Sequence, residues 1–394
     1  MTKDFGKLAL EQAKKYKGKL KITSKLTIEN KEDLSIAYTP GVAEVSKLVA
    51  ADRKLAWDYT IKSNAVAVIS DGSAVLGLGN IGPEAALPVM EGKAILFKEF
   101  GGVDAYPLVL DTQNPREVIN IVKNIAPGFG GINLEDIAAP NCFEIEDSLQ
   151  NLGIPVFHDD QHGTAIVVMA AVINASKVLG KHLGSLKVVI NGAGAAGNAI
   201  AHLLACRDRA GNSLDKRLCV PVGEIVVLDS QGIIYQGRSN LDKYKKALAE
   251  FTNPRRIGGS LKEALRGADV FIGVSKANVL DPSWIAEMNP SPIVFAMANP
   301  IPEIDPAEAL KAEVAIVGTG RSDYPNQINN VLAFPGIFRG ALDSRARRIT
   351  TGMKLAAALA LAGFTKKPTR EKILTSALDR QVVKVVAKAV RQEV

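Results

Sequence analysis

Two pairs of acidic residues are the part of the sequence best suited to chemistry. Glu135 and Asp136 follow the short predicted strand at residues 132–134, and Asp159 and Asp160 follow residues 156–158. Because the carboxyl ends of strands in a parallel sheet face the ligand crevice, we expect these carboxylates to gather in one place. A hard cation such as Mg²⁺ or Mn²⁺ prefers oxygen ligands and would relieve their mutual repulsion. The alternative for each pair is a helix cap or a solvated turn.

Two histidines lie beside the second acidic pair. His158 and His162 are four residues apart, which puts both on one face of a helix, as in some zinc sites. The glutamate of the zinc protease motif HExxH is missing, since Asp159 follows His158. We therefore expect these histidines to pack or to form supporting hydrogen bonds rather than to bind zinc.

A glycine-rich loop supplies the second candidate site. Residues 186–190 are predicted to form a strand, and the loop leads into a helical run over residues 198–204, the context in which a GxGxxG pattern is informative. The glycines allow a tight turn, close backbone approach to a pyrophosphate, and close packing of helix on strand. The start of the helix would add free N–H groups for the phosphates. The loop residues that we assign to a dinucleotide are Gly192, Gly194, Ala195, Ala196 and Gly197.

The choice between NAD and NADP depends on residues near the end of the next strand. Asp229 ends that strand, where a carboxylate binds the ribose hydroxyls of NAD and disfavours a 2′-phosphate. It lies further from the loop than usual because residues 207–223 resemble an insertion, and Arg238 nearby could accommodate a 2′-phosphate. The sequence favours NAD over NADP. The alternative is a glycine-rich turn without a ligand.

Strands and helices alternate in two series along the chain. Strands are predicted over residues 65–70 and 105–110, and a second series begins at residues 187–190. This pattern predicts an α/β fold, with an N-terminal α/β catalytic domain over residues 1–162 and a Rossmann-like, doubly wound dinucleotide-binding domain over residues 163–394. A helix over residues 163–179 would join them across a shared cleft. C-terminal helices would pack back on the second domain, the last running through residues 373–382.

The composition supports a two-domain enzyme. The 394 residues exceed what one compact core usually holds, and the hydrophobic and charged shares of 47% and 23% are those of an ordinary α/β protein. The net charge of +7 is scattered and aromatic residues make up only 5%, which argues against nucleic-acid binding. A mild positive charge suits the attraction of a dianionic substrate.

The cysteines and the apolar runs bear on the compartment. Cys142, Cys206 and Cys219 have neither the spacing of a metal site nor the even number of a disulfide framework, which favours a reducing compartment. The first residues carry no apolar signal segment, and the longest apolar run, over residues 165–173, is too short for a membrane span. We therefore predict a cytoplasmic protein without a membrane partner.

Together with further motifs, these features resemble the malic enzymes, specifically the short bacterial type. The resemblance covers nearly the whole chain and keeps the same order throughout. Its motifs are YTPGVA at 38–43, DG at 71–72, LGLGN at 76–80, VMEGK at 89–93, NLED at 133–136, HDDQHGT at 158–164, the glycine-rich loop, ANP at 298–300, NN at 329–330 and FPG at 334–336.

The resemblance implies a role for each residue of the acidic group. Glu135, Asp136 and Asp160 would be the ligands of Mg²⁺ or Mn²⁺, and Asp159 would orient its neighbours. Lys93 would be the general base. Its pKa, ordinarily about 10.4, would have to be lowered by burial and by the metal charge.

The implied reaction is the oxidative decarboxylation of malate. The metal would hold the C1 carboxylate and the C2 hydroxyl, and Lys93 would take the hydroxyl proton as hydride passes to NAD⁺ or NADP⁺. Loss of CO₂ would leave an enol that Tyr38, beside a Pro-Gly turn, protonates to give pyruvate. Asn299 and Asn330 would bind the substrate carboxylate and the carboxamide of the cofactor, and Thr164 is also assigned to the cofactor. The family further implies a homodimer.

One position departs from the pattern of the larger eukaryotic malic enzymes. Ala74 stands where they carry an arginine that holds a substrate carboxylate, so another cation is needed, and a partner subunit could supply it. The phosphotransacetylase-like extension of longer bacterial relatives is not expected after the C-terminal helix. Three alternatives stay open: malolactic or oxaloacetate-decarboxylating activity on the same site, a metal-independent oxidoreductase resembling amino-acid dehydrogenases, and a dinucleotide sensor without turnover.

Overall fold

The first half of the chain forms a parallel sheet with helices on both faces. The computed structural model describes residues 4–214 and 219–394. The strand order is β2-β1-β3-β4, and every neighbouring pair is parallel. In chain order the elements are α1 (Phe5–Tyr16), α2 (Lys31–Ala37), α3 (Gly41–Ala51), α4 (Ala56–Tyr59), β1 (Ala65–Ser70), α5 (Pro83–Gly101), β2 (Asp104–Val109), α6 (Pro115–Ile125), β3 (Gly131–Leu134), α7 (Asn141–Leu149) and β4 (Val156–His158).

The second half forms a larger sheet. Its order β10-β9-β8-β5-β6-β7 is parallel except for β7, which pairs antiparallel with β6. The elements are α8 (Asp159–Leu179), β5 (Lys187–Asn191), α9 (Ala195–Leu204), β6 (Glu224–Asp229), β7 (Gly232–Ile233), α10 (Lys243–Phe251), α11 (Leu261–Leu265), β8 (Val270–Gly273), β9 (Ile293–Ala296), α12 (Pro306–Lys311), β10 (Ile316–Thr319), α13 (Phe334–Asp343), α14 (Thr351–Phe364) and α15 (Gln381–Arg391). The predicted α/β class, with a Rossmann-like second half and C-terminal helices, is confirmed.

Strand β1 shows why helices cover both faces of the first sheet. All six of its residues are buried. Val66 and Val68 belong to a core that includes Phe97 of α5, whereas Ala67 and Ile69 belong to the core formed with α6 and α7. Because successive residues of a strand point to opposite faces, a strand that is apolar throughout requires cover on both sides.

Helix α8 ties the two halves together. By length and composition α8 could cross a membrane. However, 72% of its most apolar 18-residue stretch is buried inside the protein, as in the core helix of a globular protein. The predicted domain boundary after residue 162 falls within the first turns of α8. One hydrophobic core extends from Val66 of β1 to Ile190 of β5. The division into residues 1–162 and 163–394 therefore remains a proposal, with α8 as the joint.

The prediction of a helix through residues 373–382 is wrong for most of that segment. Residues 365–380, between α14 and α15, are not helical. Instead, two buried asparagines form hydrogen bonds with backbone groups of this non-helical segment. The side chain of Asn326 donates to the carbonyl of Arg370 and accepts from the amide of Ile373, and Asn174 donates to the carbonyl of Ile373. These tertiary hydrogen bonds satisfy the backbone groups that a helix would otherwise pair.

Two cysteines are paired, contrary to the sequence argument. Cys206 and Cys219 form a disulfide across a sequence separation of 13, while Cys142 is free and buried. The sequence did not predict this disulfide, because neither the spacing nor the odd number of the cysteines identifies a single bridge. The cytoplasmic compartment therefore stays a prediction.

Candidate active site

The acidic residues meet at one edge of the first sheet. Leu134 of β3 pairs with His158 of β4, so the residues that follow these strands lie side by side. Ligand oxygens of Glu135, Asp136 and Asp160 lie within 4.8 Å of one another. Asp136 makes the turn after β3 with a φ of 53°, and its N–H donates to Asp160 Oδ2 at 2.8 Å. We call Glu135, Asp136 and Asp160 the acidic cluster.

Lys93 of α5 lies against the acidic cluster. The residue is only 7% exposed. Its Nζ is 2.8 Å from Glu135 Oε1 and 2.6 Å from Asp159 Oδ2. The Nζ atom also lies 4.4 Å from the ring centroid of Phe334. One ammonium group therefore faces Asp159 and the acids of the cluster.

The cluster carries more negative charge than Lys93 balances. Burial, aided by repulsion between the carboxylates, raises the pKa of Glu135 to about 7 and that of Asp136 to about 9. The pKa of Asp159 is raised to about 7 and that of Asp160 to about 6, again mainly by burial. Burial also acts to lower the pKa of Lys93, but the attraction of Asp159 and Glu135 outweighs it and raises that pKa. The chain alone does not provide the lowering that a general base requires.

The donor set fits a hard divalent cation. Carboxylate oxygens are the ligands that Mg²⁺ and Mn²⁺ prefer. Asp136 Oδ2 and Asp159 Oδ1 are buried and have no hydrogen-bond partner among the described residues. A cation among the acids would offset their mutual repulsion. It would also lower the pKa of Lys93, because it would weaken the attraction of the acids for the ammonium group.

Asn133 is a supporting residue that the sequence argument did not single out. It is fully buried, and its Nδ2 donates to Glu135 Oε2 at 2.8 Å. The sequence could have indicated this role, because a polar residue inside a buried strand needs a polar partner. Glu135, the next acidic residue in the chain, is such a partner. Ala74 also lies here, with its N–H donating to the carbonyl of Asp136 at 3.0 Å, but its side chain brings no cation.

Gly163 lets the C-terminal part of the chain approach this site. It lies in α8, and a Cβ there would overlap Asp159 Oδ1 and come within 3.2 Å of the Cβ of Asn330. The segment before α13 can come this close only because the glycine has no side chain. Asn330 is thereby held beside the acids, while Thr164, the next residue of α8, is half-buried.

The two histidines have separate surroundings. His162 Nε2 lies 2.8 Å from Glu146 Oε1. His158 is fully buried, with Nδ1 3.7 Å from Asp160 Oδ2. Within the described parts of the chain, neither belongs to a group of side chains that could hold a metal ion. His162 thus makes a side-chain hydrogen bond, whereas neither ring nitrogen of His158 has a hydrogen-bond partner among the described residues.

The glycine-rich loop lines a cavity of about 610 Å³, called here the dinucleotide cavity. Gly192 has a φ of 129°, and a Cβ on it would clash with the backbone that follows β8. A Cβ on Gly197 would overlap the carbonyl oxygen of Gly192. Gly194 is open, as backbone approach to a pyrophosphate requires, and α9 begins with Ala195 and Ala196.

Asp229 lies on the wall of the dinucleotide cavity. Its carboxylate forms ion pairs with two basic side chains. Its Oδ2 is 2.5 Å from Arg238 Nη2 and 3.0 Å from Lys245 Nζ. Burial acts to raise its pKa, but the hydrogen bonds from these cations lower the pKa below the ordinary value. Pro140 and Phe143 also line the cavity, so both halves of the chain contribute to it.

Asn299 and Tyr38 are not joined to this centre by hydrogen bonds. A Cβ on Gly77 would overlap the carbonyl oxygen of Asn299, so the loops after β1 and β9 touch there. Tyr38 follows α2 and is 66% exposed. In residues 4–214 and 219–394, neither side chain forms a hydrogen bond with Lys93 or the acidic cluster.

Comparisons with known proteins cover both halves of the chain. The family model "Malic enzyme, N-terminal domain" matches residues 17–150, and the model "Malic enzyme, NAD binding domain" matches residues 161–394. A bifunctional malic/malolactic enzyme from Bacillus subtilis is 53% identical over 97% of this chain and 91% of its own length. An NADP-dependent malic enzyme from Halomonas elongata is 48% identical over 92% and 83% of the two chains. The crystal structure of an NAD-dependent malic enzyme from Thermotoga maritima has a TM-score of 0.91 and 48% identity, over 97% of this chain and 98% of that chain.

Proposed function

The chain belongs to the malic enzyme family, and we propose that Lys93 and the acidic cluster carry out its reaction. The protein is a nicotinamide-dependent oxidoreductase that converts malate to pyruvate and CO₂. One observation carries the assignment of the residues. The Nζ of Lys93 contacts both Glu135 and Asp159, at 2.8 and 2.6 Å, next to three converging carboxylates.

Glu135, Asp136 and Asp160 would hold Mg²⁺ or Mn²⁺. When bound, the cation supplies the positive charge that lowers the pKa of a hydroxyl and stabilises an oxyanion. The raised pKa values of the three acids support this assignment, because buried carboxylates without balancing charge are unfavourable. Asn133 orients Glu135 through its hydrogen bond, and the main-chain N–H of Asp136 orients Asp160.

Lys93 is the general base for the C2 hydroxyl of malate in this proposal. Hydrogen bonding to Asp159 fixes the position of its nitrogen. Lys93 must be neutral to accept a proton, and its neutral form becomes accessible once the charge of the surrounding carboxylates is balanced. Asn330, beside Asp159, and Asn299 would bind the substrate carboxylate and the cofactor carboxamide.

NAD is the preferred dinucleotide in this proposal. The glycine-rich loop and Thr164 serve either cofactor, and the named relatives include both NAD- and NADP-dependent enzymes. The preference rests on Asp229, which engages both Arg238 and Lys245. A 2′-phosphate would have to compete with Asp229 for these cations, whereas ribose hydroxyls would not.

An initial-rate assay tests these assignments. Malate and Mn²⁺ are supplied with NAD⁺ or NADP⁺ in separate reactions, and reduced nicotinamide and pyruvate are both measured. EDTA should abolish the activity and Mn²⁺ should restore it. Lys93→Ala should be inactive, whereas Lys98→Ala, which alters an exposed lysine of the same helix, should be active. Activity unaffected by the chelator would exclude the metal assignment.

Malolactic activity is a second candidate. The relative from Bacillus subtilis at 53% identity is named a bifunctional malic/malolactic enzyme. The same acidic cluster and dinucleotide cavity would serve this reaction. Lactate formed from malate without net accumulation of NADH would support it, and pyruvate as the sole product would limit the enzyme to oxidative decarboxylation.

The oligomer in this proposal is a homodimer formed through the N-terminal helices. Helices α1 to α4 bury no side chain. Their exposed apolar residues include Leu34, Ile36 and Val45, and Tyr38 lies among them. An apolar surface of this kind marks a protein–protein interface. The proposed role of Tyr38 as general acid therefore depends on what covers this surface.

Light scattering tests the dimer. The wild-type protein should have about twice the chain mass of 41.9 kDa. Ile36→Glu should shift the population to the monomer, and Lys47→Glu, at an exposed neighbouring position, should not. A monomeric wild-type protein would exclude the homodimer.

A further inference from the structure

A second cavity, of about 540 Å³, lies between α7, α9 and the start of α14. It shares no lining residue with the dinucleotide cavity. Its charged lining residues are Arg207, Arg209, Arg348, Lys354, Glu146, Asp147 and Asp208. We call this space the basic cavity, and we propose that it binds a small phosphate-bearing anion.

The carboxylates of the basic cavity already have partners. Glu146 Oε2 lies 2.7 Å from Arg209 Nη2, and Glu146 Oε1 lies 2.8 Å from His162 Nε2. Asp147 is 2.6 Å from Arg209 Nη1. Asp208 accepts two hydrogen bonds within its own loop, both at 2.8 Å. The negative charges are therefore engaged by the protein itself.

Two of the cations are not engaged in this way. Within the described ranges, Arg348 and Lys354 form neither an ion pair nor a side-chain hydrogen bond, and Arg207 donates only to a main-chain carbonyl. Lys354 is partly buried, and burial lowers its pKa to about 8. A partly buried cation without a partner is unfavourable, and a bound anion would remove that cost.

Further polar groups lie around the same space. His202 lines the cavity at 7% exposure, and its Nδ1 has no hydrogen-bond partner among the described residues. The 14-residue helix α14 begins here, and its N-cap Thr350 accepts from the amide of Met353. The amides of Thr351 and Gly352 lack partners within the helix, as at any helix start. The positive end of the helix dipole adds to the attraction for an anion.

This combination favours a phosphate over a single carboxylate. A guanidinium, an ammonium and main-chain amides need several acceptor oxygens at once, and a phosphate group offers three or more. The volume of about 540 Å³ is in the range of small-molecule sites. The cavity is also linked to the acidic cluster, because Arg209 donates to Gln161, which follows Asp160 on α8.

Isothermal titration calorimetry of the full chain with pyrophosphate tests the proposal. Saturating NAD⁺ fills the dinucleotide cavity, EDTA removes metal ions, and ionic strength is held constant. One binding event per chain is expected. Arg348→Ala and Lys354→Met should each weaken binding about tenfold or more, because each removes a charge-assisted hydrogen bond. Arg347→Ala alters an exposed neighbour that does not line the cavity, and it should bind as the wild type does.

Two results would overturn the proposal. One is the absence of binding heat at millimolar pyrophosphate, and the other is an equal loss in Arg347→Ala and Arg348→Ala, which would show non-specific attraction. Arg348 is exposed, so its variant should fold even if Lys354→Met does not, and circular dichroism would verify this. No malate is present in these titrations, so their result is independent of the proposed function.

Discussion

Two groups of carboxylates flank the start of α8, and their charges are balanced differently. The acidic cluster shares the ammonium group of Lys93, which is also in contact with Asp159. Glu146, on the other side, has Arg209 at 2.7 Å. Both sites are buried, since Glu135 is 3% exposed and Glu146 is 2% exposed. Glu135 and Glu146 therefore differ in charge balance and not in burial.

The pKa values express this difference. Burial raises the pKa of Glu135 to about 7. Burial acts on Glu146 in the same direction, but the hydrogen bond with His162 and the charge of Arg209 outweigh it and lower its pKa well below the ordinary value. A buried carboxylate paired with a cation of the protein links the helices and strands that carry the two groups. A buried carboxylate without such a cation is typical of a ligand-binding site. The same residue type thus forms a buried ion pair in one place and is assigned to a metal ion by the proposed function in the other.

The largest effect should follow from removing the cation of the acidic cluster. Lys93→Ala should lower kcat for malate oxidation by about 10²–10⁴-fold, because the reaction loses the proposed general base. Its affinity for NAD⁺ should be nearly unchanged, since Lys93 does not line the dinucleotide cavity. Steady-state rates and a fluorescence titration with NAD⁺ measure the two quantities. Equal losses in both would assign Lys93 a structural role.

Removing the balanced carboxylate should instead affect stability. Glu146→Gln should lower the free energy of unfolding by about 3–5 kcal/mol, the usual consequence of removing one partner of a buried ion pair. Urea unfolding of metal-free protein at pH 7 measures this. Glu144→Gln, at an exposed position of the same helix, is the matched control and should leave stability nearly unchanged.

The stability difference between the wild type and Glu146→Gln should depend on pH in a defined direction. Because the pKa of Glu146 is lowered on folding, its contribution is complete above the ordinary value of 4.5 and is lost as pH falls towards the folded value. The stability difference between wild type and Glu146→Gln should therefore shrink below about pH 4.5. A difference that stays constant down to pH 3 would contradict this account.

The corresponding change in the acidic cluster should have the opposite effect on stability. Metal-free Glu135→Gln should be as stable as the wild type or more stable at pH 8, because it removes one charge from an unbalanced group. Mn²⁺ at 100 times its Kd should stabilise the wild type by about 2.7 kcal/mol, and much less of this gain should remain in the variant at the same concentration. Thermal unfolding with and without Mn²⁺ provides both values. Destabilisation like that of Glu146→Gln would remove the distinction between the two sites.

The smallest effect concerns Asp229, a balanced carboxylate at a ligand cavity. Asp229→Ser would free Arg238 and Lys245 for a 2′-phosphate. The ratio of kcat/KM for NADP⁺ to that for NAD⁺ should rise about tenfold, the value of one charge-assisted hydrogen bond. Val279→Ala, in the wall of the same cavity, should not change the ratio. An unchanged ratio in Asp229→Ser would remove Asp229 from cofactor selection.

The acids and the glycine-rich loop could be predicted because local pattern identifies them. Glu135 and Asp160 come after buried strands, and parallel strands present their carboxyl ends at one edge of the sheet. At Gly192 and Gly197 any side chain would clash with neighbouring backbone, so the glycines themselves were informative.

The partners of these groups could not be predicted from local pattern. Lys93 and Asp159 are 66 residues apart, and Arg209 and Glu146 are 63 residues apart. Family resemblance pointed to Lys93, but nothing in the residues pointed to Arg209, which lies in the apparent insertion. The apolar spacing in residues 373–380 predicted a helix, but the backbone of Ile373 hydrogen bonds to distant asparagines instead.

The amino-acid sequence by itself determined where buried strands end, where only glycine fits, and therefore where a cation and a dinucleotide are to be expected. Only the tertiary structure decided which carboxylates are balanced by neighbouring cations and which are not. The physical reason is one of range. Backbone sterics and the periodicity of burial act over a few residues, whereas charge balance depends on distances that exist only after whole helices and strands have packed.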